Sequence, residues 1–154
     1  IILYLLEGLQ LADEFLLNLL TSIDISMTDL NLKFIIRPHP ADSKCIEKYL
    51  HSNLDSWEVS HDSLETLFQK SDIICSSVNS SVIVEVLSSV KHVIKLFNPK
   101  ELIRTGIKIT DIDDLITNKI DLIKAIQNPK KLNKIQPYFI NNPELIGWKT
   151  ALTM

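Results

Sequence analysis

The sequence predicts an α/β protein built on a Rossmann-like, doubly wound parallel sheet. Short runs of apolar residues alternate with longer segments in which apolar residues recur at helical spacing. The apolar runs contain few polar residues, which is typical of parallel strands that helices cover on both faces. With 154 residues, 45% of them hydrophobic, the chain can bury the core of one such domain over residues 1–154.

The first half of the chain alternates strands and helices in this way. We expect strands at residues 1–6 (IILYLL), 32–37 (LKFIIR) and 57–60 (WEVS). Helices are expected between them at residues 11–23 and 41–53, each with its apolar residues on one side. Gly8 follows the first strand as a turn residue, and Pro40 stands just before the second helix.

The second half continues the alternation. Helices are expected at residues 63–71, with Ser63 as N-cap, at 80–90, at 111–128 with an interruption near Asn118, and at 144–152. Strands are expected at residues 72–75 (DIIC), 92–97 (HVIKLF) and 107–110 (IKIT). Right-handed crossovers would then place the strands at 32–37 and 72–75 in the centre of the sheet.

Composition and charge narrow the class of protein. The net charge of −3 gives no general reason to expect nucleic-acid binding. Cys45 and Cys75 lie far apart and match no metal or redox spacing, so we expect buried free thiols in a reducing compartment. No apolar run reaches the ~18 residues of a membrane span, so we expect at most a peripheral membrane association. The chain starts at Ile1, inside an expected core strand, and we interpret it as a piece of a longer protein cut at a domain boundary.

A histidine stands between two prolines where the second strand should end. Residues 34–42 read FIIRPHPAD, and neither a strand nor a helix continues comfortably through Pro38-His39-Pro40. A rigid backbone orders the His39 side chain at low additional entropic cost, and an imidazole can donate a hydrogen bond to a phosphate or carbonyl oxygen. The alternative is a turn histidine whose partner is the backbone.

A polar segment separates the strand at 72–75 from the helix that follows it. It contains Asn79, Ser80 and Ser81, which are residues that cap helices or that bind anions together with the N–H groups of a helix start. The residues alone leave capping and phosphate binding open. Glu85 is the lone charge in VIVEVL, and it suits either the hydroxyls of a ribose or an exposed helix face.

Taken in order, these features resemble the C-terminal half of GT-B glycosyltransferases. RPHP follows one strand, NSS opens a later helix, and a glutamate comes four to five residues on, as in bacterial sialyltransferases, capsule Kdo transferases and the glycerophosphotransferases of teichoic acid synthesis. In the sialyltransferase-like group, an HP pair and an SS pair contact the CMP part of the donor. The HP pair corresponds to His39 and Pro40, the SS pair to Ser80 and Ser81, and the ribose-binding glutamate to Glu85.

The resemblance implies a set of site residues. The donor nucleotide would be bound by Arg37, His39, Pro40, Asn79, Ser80, Ser81 and Glu85. His39 would also be catalytic, because it would help to neutralise the departing phosphate. The resemblance implies no metal and no cofactor, since the nucleotide-activated sugar is itself a substrate. Residues 111–114 (DIDD) fit a helix start better than a metal-binding pair.

The resemblance also implies partners and a place in the cell. The donor would be a CMP- or CDP-activated sugar or polyol. The acceptor would be a glycan or a lipid-linked molecule in the synthesis of bacterial surface polysaccharide, such as capsule or lipopolysaccharide. The general base would lie in an N-terminal lobe outside this chain, so the isolated lobe would be inactive. The reaction would take place in the cytoplasm, at the inner face of the membrane.

Some features depart from the family pattern and keep two other functions open. Ser89 and His92 stand where many GT-B enzymes have Gly and Pro. Glu7-Gly8 resembles the acidic-Gly motif of the missing lobe but follows the first strand of this one, so we read it as a turn with glycine at positive φ. A sugar-nucleotide epimerase of the same fold usually carries Ser-Gly-Gly where this chain has residues 79–81 (NSS). A nucleotide-binding module without catalysis is the other alternative.

Overall fold

The computed structural model of the chain describes residues 1–24, 32–40, 57–88, 91–102 and 115–129. The described residues contain five strands: β1 (Ile2–Leu5), β2 (Phe34–Arg37), β3 (Trp57–Val59), β4 (Ile73–Ser77) and β5 (His92–Leu96). They form one sheet in the order β3-β2-β1-β4-β5, and every neighbouring pair is parallel. The predicted Rossmann-like parallel sheet is therefore confirmed.

Four helices in the described ranges cover the two faces of this sheet: α1 (Gln10–Asp24), α2 (Leu64–Lys70), α3 (Ile83–Ser88) and α4 (Lys119–Gln127). Tyr4 and Phe34 belong to the face that packs against α1 and α4, whereas Leu3 and Ile35 belong to the face that packs against α2 and α3. Successive strand residues point to opposite faces, so a strand between two helix layers must be apolar at nearly every position. None of these helices is both long and apolar enough to cross a membrane.

The middle strand of the sheet is β1. Its residue Leu3 pairs with Ile35 of β2 on one side and with Ile74 of β4 on the other. The strands predicted to be central, at residues 32–37 and 72–75, are interior strands that flank β1. Hydrophobicity could not rank the three strands, because all of them are buried on both faces. The chain leaves β1 toward β2 and β3 and then crosses to the other side with β4, which makes the end of β1 the topological switch point.

Several element boundaries differ from the prediction. The helix predicted over residues 111–128 is wrong at residues 115–117, because Ile116 forms an isolated parallel bridge with Leu96 and α4 begins at Lys119, next to the predicted interruption at Asn118; residues 111–114 lie outside the described ranges. Asn118 is the N-cap, and its side-chain oxygen accepts a hydrogen bond from the N–H of Asp121 at 3.0 Å. An N-cap Asn gives a partner to an N–H that would have none within the helix, so it favours a helix start at this point.

Near the predicted functional residues, the main difference concerns the end of β4. The strand runs on to Ser77, and both Ser76 and Ser77 are buried within it. The following helix begins at Ile83 rather than at Ser80. Residues 78–82 therefore form a loop of consecutive turns that connects β4 to α3.

Other predictions are confirmed or fall outside the described ranges. Ser63 is the N-cap of α2, and its side chain accepts from the N–H of Thr66. Cys75 is a buried free thiol, as expected. The helices predicted at residues 41–53 and 144–152, the strand predicted at 107–110 and Cys45 lie outside the described residues.

Candidate functional site

The candidate site lies at the carboxyl edge of the sheet, where the ends of β1, β2 and β4 come together. Leu5, the last residue of β1, pairs with Arg37 on one side and with Ser76 on the other. In an open parallel sheet, the crevice for a ligand opens beyond the strand ends at the switch point. The segments that follow these three strands are therefore the ones that a ligand would contact.

His39 lies directly against the backbone of Gly8. A Cβ atom placed on Gly8 would be 2.6 Å from His39 Nδ1 and 2.7 Å from its Cγ. Gly8 also has a φ of 76°, in the left-handed region that side chains other than glycine's rarely adopt. Glycine is thus required after β1 for two reasons: its backbone has a positive φ, and the imidazole of His39 leaves no room for a Cβ.

The backbone around His39 is held in place on both sides. β2 ends at Arg37, as the prolines predict, and the N–H of Leu6 donates to the carbonyl of Arg37 at 3.1 Å. Pro38 is buried, His39 is half-buried and Pro40 is exposed. The segment after β2 therefore runs beside the segment after β1, with the imidazole at the junction of the two.

The turn after β1 is held by a carboxylate that we did not single out from the sequence. Asp13, in the first turn of α1, is fully buried. Its Oδ1 accepts a hydrogen bond from the N–H of Glu7 at 2.6 Å, and its Oδ2 accepts one from the N–H of Gly8 at 2.9 Å. The Glu7 side chain is buried as well. In the sequence, Asp13 reads as an ordinary acidic residue of a first helical turn, and only the fold shows its reach to the turn.

The turn after β4 is ordered by its own hydrogen bonds. The hydroxyl oxygen of Ser77 accepts from the N–H of Asn79 at 3.1 Å, and the N–H of Ser80 donates to the carbonyl of Ser77 at 3.3 Å. The Asn79 side chain donates from Nδ2 to the carbonyl of Leu102 at 3.1 Å, which ties this turn to the segment after β5. The Asn79 amide therefore supports the turn.

The remaining predicted residues on the β4 side are accessible to solvent. Ser80 is half-buried, Ser81 is exposed, and Glu85 is exposed in the first turn of α3. Because β2 and β4 are both neighbours of β1, their ends lie about 10 Å apart, twice the spacing between adjacent strands. The end of β1 and the turn at Gly8 lie between them.

Arg37 was predicted to bind the nucleotide, but its side chain contacts the segment after β3. Its Nε–H donates to the carbonyl of Asp62 at 3.2 Å, in the segment after β3. Asp62 in turn forms an ion pair with Lys70 at 2.8 Å, which lowers the pKa of the Asp62 carboxyl. This contact lies on the β3 side of β2, whereas Ser80 and Ser81 follow β4 on the other side of β1.

Comparisons with known proteins assign no family or function to this site. No protein-family model matches the chain, and no curated protein or solved structure matches it. Within the described ranges, no group of three or more His, Cys, Asp or Glu side chains could hold a metal ion.

Proposed function

We propose that this chain is the donor-nucleotide-binding lobe of a GT-B glycosyltransferase that makes bacterial surface polysaccharide. The observation that carries the proposal is the contact of His39 with Gly8 at the end of the middle strand, across from the turn with Ser80 and Ser81. Open α/β sheets bind nucleotides at this position. The resemblance to GT-B enzymes assigns the nucleotide to the same side chains.

Each polar group in the crevice has a separate task in this proposal. The His39 imidazole donates a hydrogen bond to a phosphate oxygen, and its place against Gly8 fixes the direction of that bond. The exposed hydroxyl of Ser81 donates to the same phosphate from the β4 side. The exposed carboxylate of Glu85 accepts hydrogen bonds from ribose hydroxyls. The donor would be a CMP- or CDP-activated sugar or polyol.

The chemistry of this lobe would be the stabilisation of the leaving group. When the bond between the sugar carbon and the phosphate oxygen breaks, negative charge grows on the departing nucleotide. Donors that already point at this charge lower the barrier without reorganising. His39 and Ser81 would supply two such donors. The base that removes the proton of the acceptor hydroxyl would come from a second lobe outside this chain.

The partners follow from the same proposal. The acceptor would be a glycan or a lipid-linked molecule, which places the reaction in the cytoplasm beside the inner face of the membrane. The chain alone would bind nucleotide weakly, because it supplies one wall of the cleft. Turnover would require the second lobe.

A nucleotide titration followed by NMR tests the proposal. We expect CMP and CDP at millimolar concentration to shift the His39 imidazole and Ser81 amide resonances more strongly than UMP or GMP does. His61 is the internal control, because it is exposed and follows the edge strand β3. A preference for GMP, or nucleotide shifts that leave both His39 and Ser81 unmoved, would exclude this function.

A further inference from the structure

Two successive backbone N–H groups in the turn after β1 converge on one side chain. The N–H groups of Glu7 and Gly8 donate to the two carboxylate oxygens of Asp13, at 2.6 and 2.9 Å. Asp13 is fully buried and belongs to the first turn of α1. Its negative charge therefore lies where the amino end of the helix stabilises an anion.

The turn after β1 resembles an anion-binding site, but its occupant is the protein's own Asp13 carboxylate. Successive N–H groups that converge in a turn create a concave site for anions, and the first turn of a Rossmann-like sheet ordinarily presents such groups to a ligand phosphate. Here the carboxylate of Asp13 takes the position of that phosphate.

We propose that Asp13 is a specificity-determining residue that closes the turn after β1 to ligand phosphates. A phosphate is thereby directed to the turn after β4, and dinucleotides whose pyrophosphate must lie on the first turn are rejected. The hydrogen bond from the Gly8 N–H to Asp13 Oδ2 holds Gly8 in place, so Asp13 also positions the His39 ring that lies against it. The consequence for nucleotide choice rests on the function proposed above, whereas the occupation of the turn by Asp13 does not.

The test measures amide hydrogen exchange and anion titration at the same residues. In the wild-type chain, the Glu7 and Gly8 amides should be protected and should respond little to inorganic pyrophosphate. In Asp13→Ala their protection should fall at least about tenfold, the loss expected on removing a charge-assisted hydrogen bond. Formate or pyrophosphate at tens of millimolar, but not chloride, should restore the protection and the wild-type resonance of His39.

Two further variants separate this role from general stability. Ser71→Ala removes another buried hydrogen bond, from Ser71 Oγ to the carbonyl of Leu67 at 2.7 Å, and should leave the Glu7 and Gly8 amides unchanged. Asp13→Asn keeps one carbonyl oxygen, so it should release one of the two amides even if Asp13→Ala does not fold.

Three results would overturn the proposal. The first is a wild-type Gly8 amide that shifts with pyrophosphate as strongly as the Ser81 amide. The second is protection that stays unchanged in both Asp13 variants. The third is an Asp13→Ala variant that folds but responds to neither formate nor pyrophosphate. Because these probes are not nucleotides, a missing preference for CMP would count against the proposed function and leave this result intact.

Discussion

The imidazole of His39 rests on the backbone of Gly8, with its Nδ1 atom only 2.6 Å from the place where a Cβ of residue 8 would stand. The contact joins the segments that follow two neighbouring parallel strands, β1 and β2. It makes the position of the histidine depend on a residue without a side chain. The first prediction tests this dependence.

Gly8→Ala should destabilise the protein and displace the His39 ring. A φ of 76° costs an alanine about 1–2 kcal/mol, and the new Cβ would also lie under 3 Å from three atoms of His39. We expect the free energy of unfolding in urea to fall by at least ~1–2 kcal/mol. The imidazole resonance of His39 should move in the same variant.

A double mutant separates the backbone strain from the steric clash. His39→Ala removes Nδ1 and Cγ, the two closest ring atoms, but leaves the positive φ of residue 8 unchanged. In the His39→Ala background, Gly8→Ala should therefore cost less, with a coupling of about 0.5–3 kcal/mol. Strictly additive effects would mean that the ring does not rest on Gly8.

The fold was predictable because a parallel strand that lies between two layers of helices is apolar at nearly every position. Runs such as IILYLL and FIIR mark such strands with little ambiguity. The order of the strands was not predictable in the same way, since β1, β2 and β4 are all buried apart from Arg37 at the end of β2. The order depends on how the crossovers pack, which no local pattern records.

The candidate site shows the same division. The end of β2 at the Pro-His-Pro run and the turn at Gly8 follow from local backbone rules, and both were predictable. The hydrogen bonds from Asn79 to Leu102 and from Arg37 to Asp62 join residues more than twenty positions apart. Such contacts exist only once the strands are placed side by side, so the sequence could not assign these two side chains to supporting positions.

The second prediction concerns stability at alkaline pH. Burial, and then the neighbouring Cys75 thiol, hold the pKa of Tyr4 well above its usual range, and burial raises the pKa of Cys75. Above about pH 8.5 for the thiol and about pH 10 for the phenol, the unfolded chain releases these protons while the native protein keeps them. The unfolded state then binds fewer protons, so stability should fall as the pH rises, by up to about 1.4 kcal/mol per pH unit for each group.

Urea unfolding at a series of pH values between 7 and about 11 measures this slope. Tyr4→Phe removes one of the two groups while keeping the ring that meets Phe34 edge-on, so its slope above about pH 10 should be shallower than that of the wild type. An unchanged slope in Tyr4→Phe would mean that the hydroxyl ionises equally in both states.

The third prediction concerns the role of His39. His39→Ala should weaken the binding of CMP strongly and the binding of cytidine hardly at all, because only CMP carries the phosphate. NMR shift titrations with the two ligands measure both effects.

His61→Ala is the matched control for this experiment. His61 is exposed and follows β3, two strands away from the middle strand. Its removal should leave both affinities unchanged. If His39→Ala lowers the affinities for CMP and cytidine equally, the variant has displaced the turn and has not simply lost a phosphate contact.

The last prediction separates the two residues on the β4 side of the crevice. Ser81→Ala removes a neutral donor to a charged oxygen, a change of about 1.5–3 kcal/mol, and should weaken CMP binding while sparing cytidine. Glu85→Gln should weaken the binding of CMP and of cytidine equally, because both ligands carry the ribose. Glu65→Gln is the control, since Glu65 is also an exposed acid in a first helical turn, but on α2. If Glu85→Gln and Glu65→Gln behave alike, Glu85 is a solvated helix residue and does not contact the ribose.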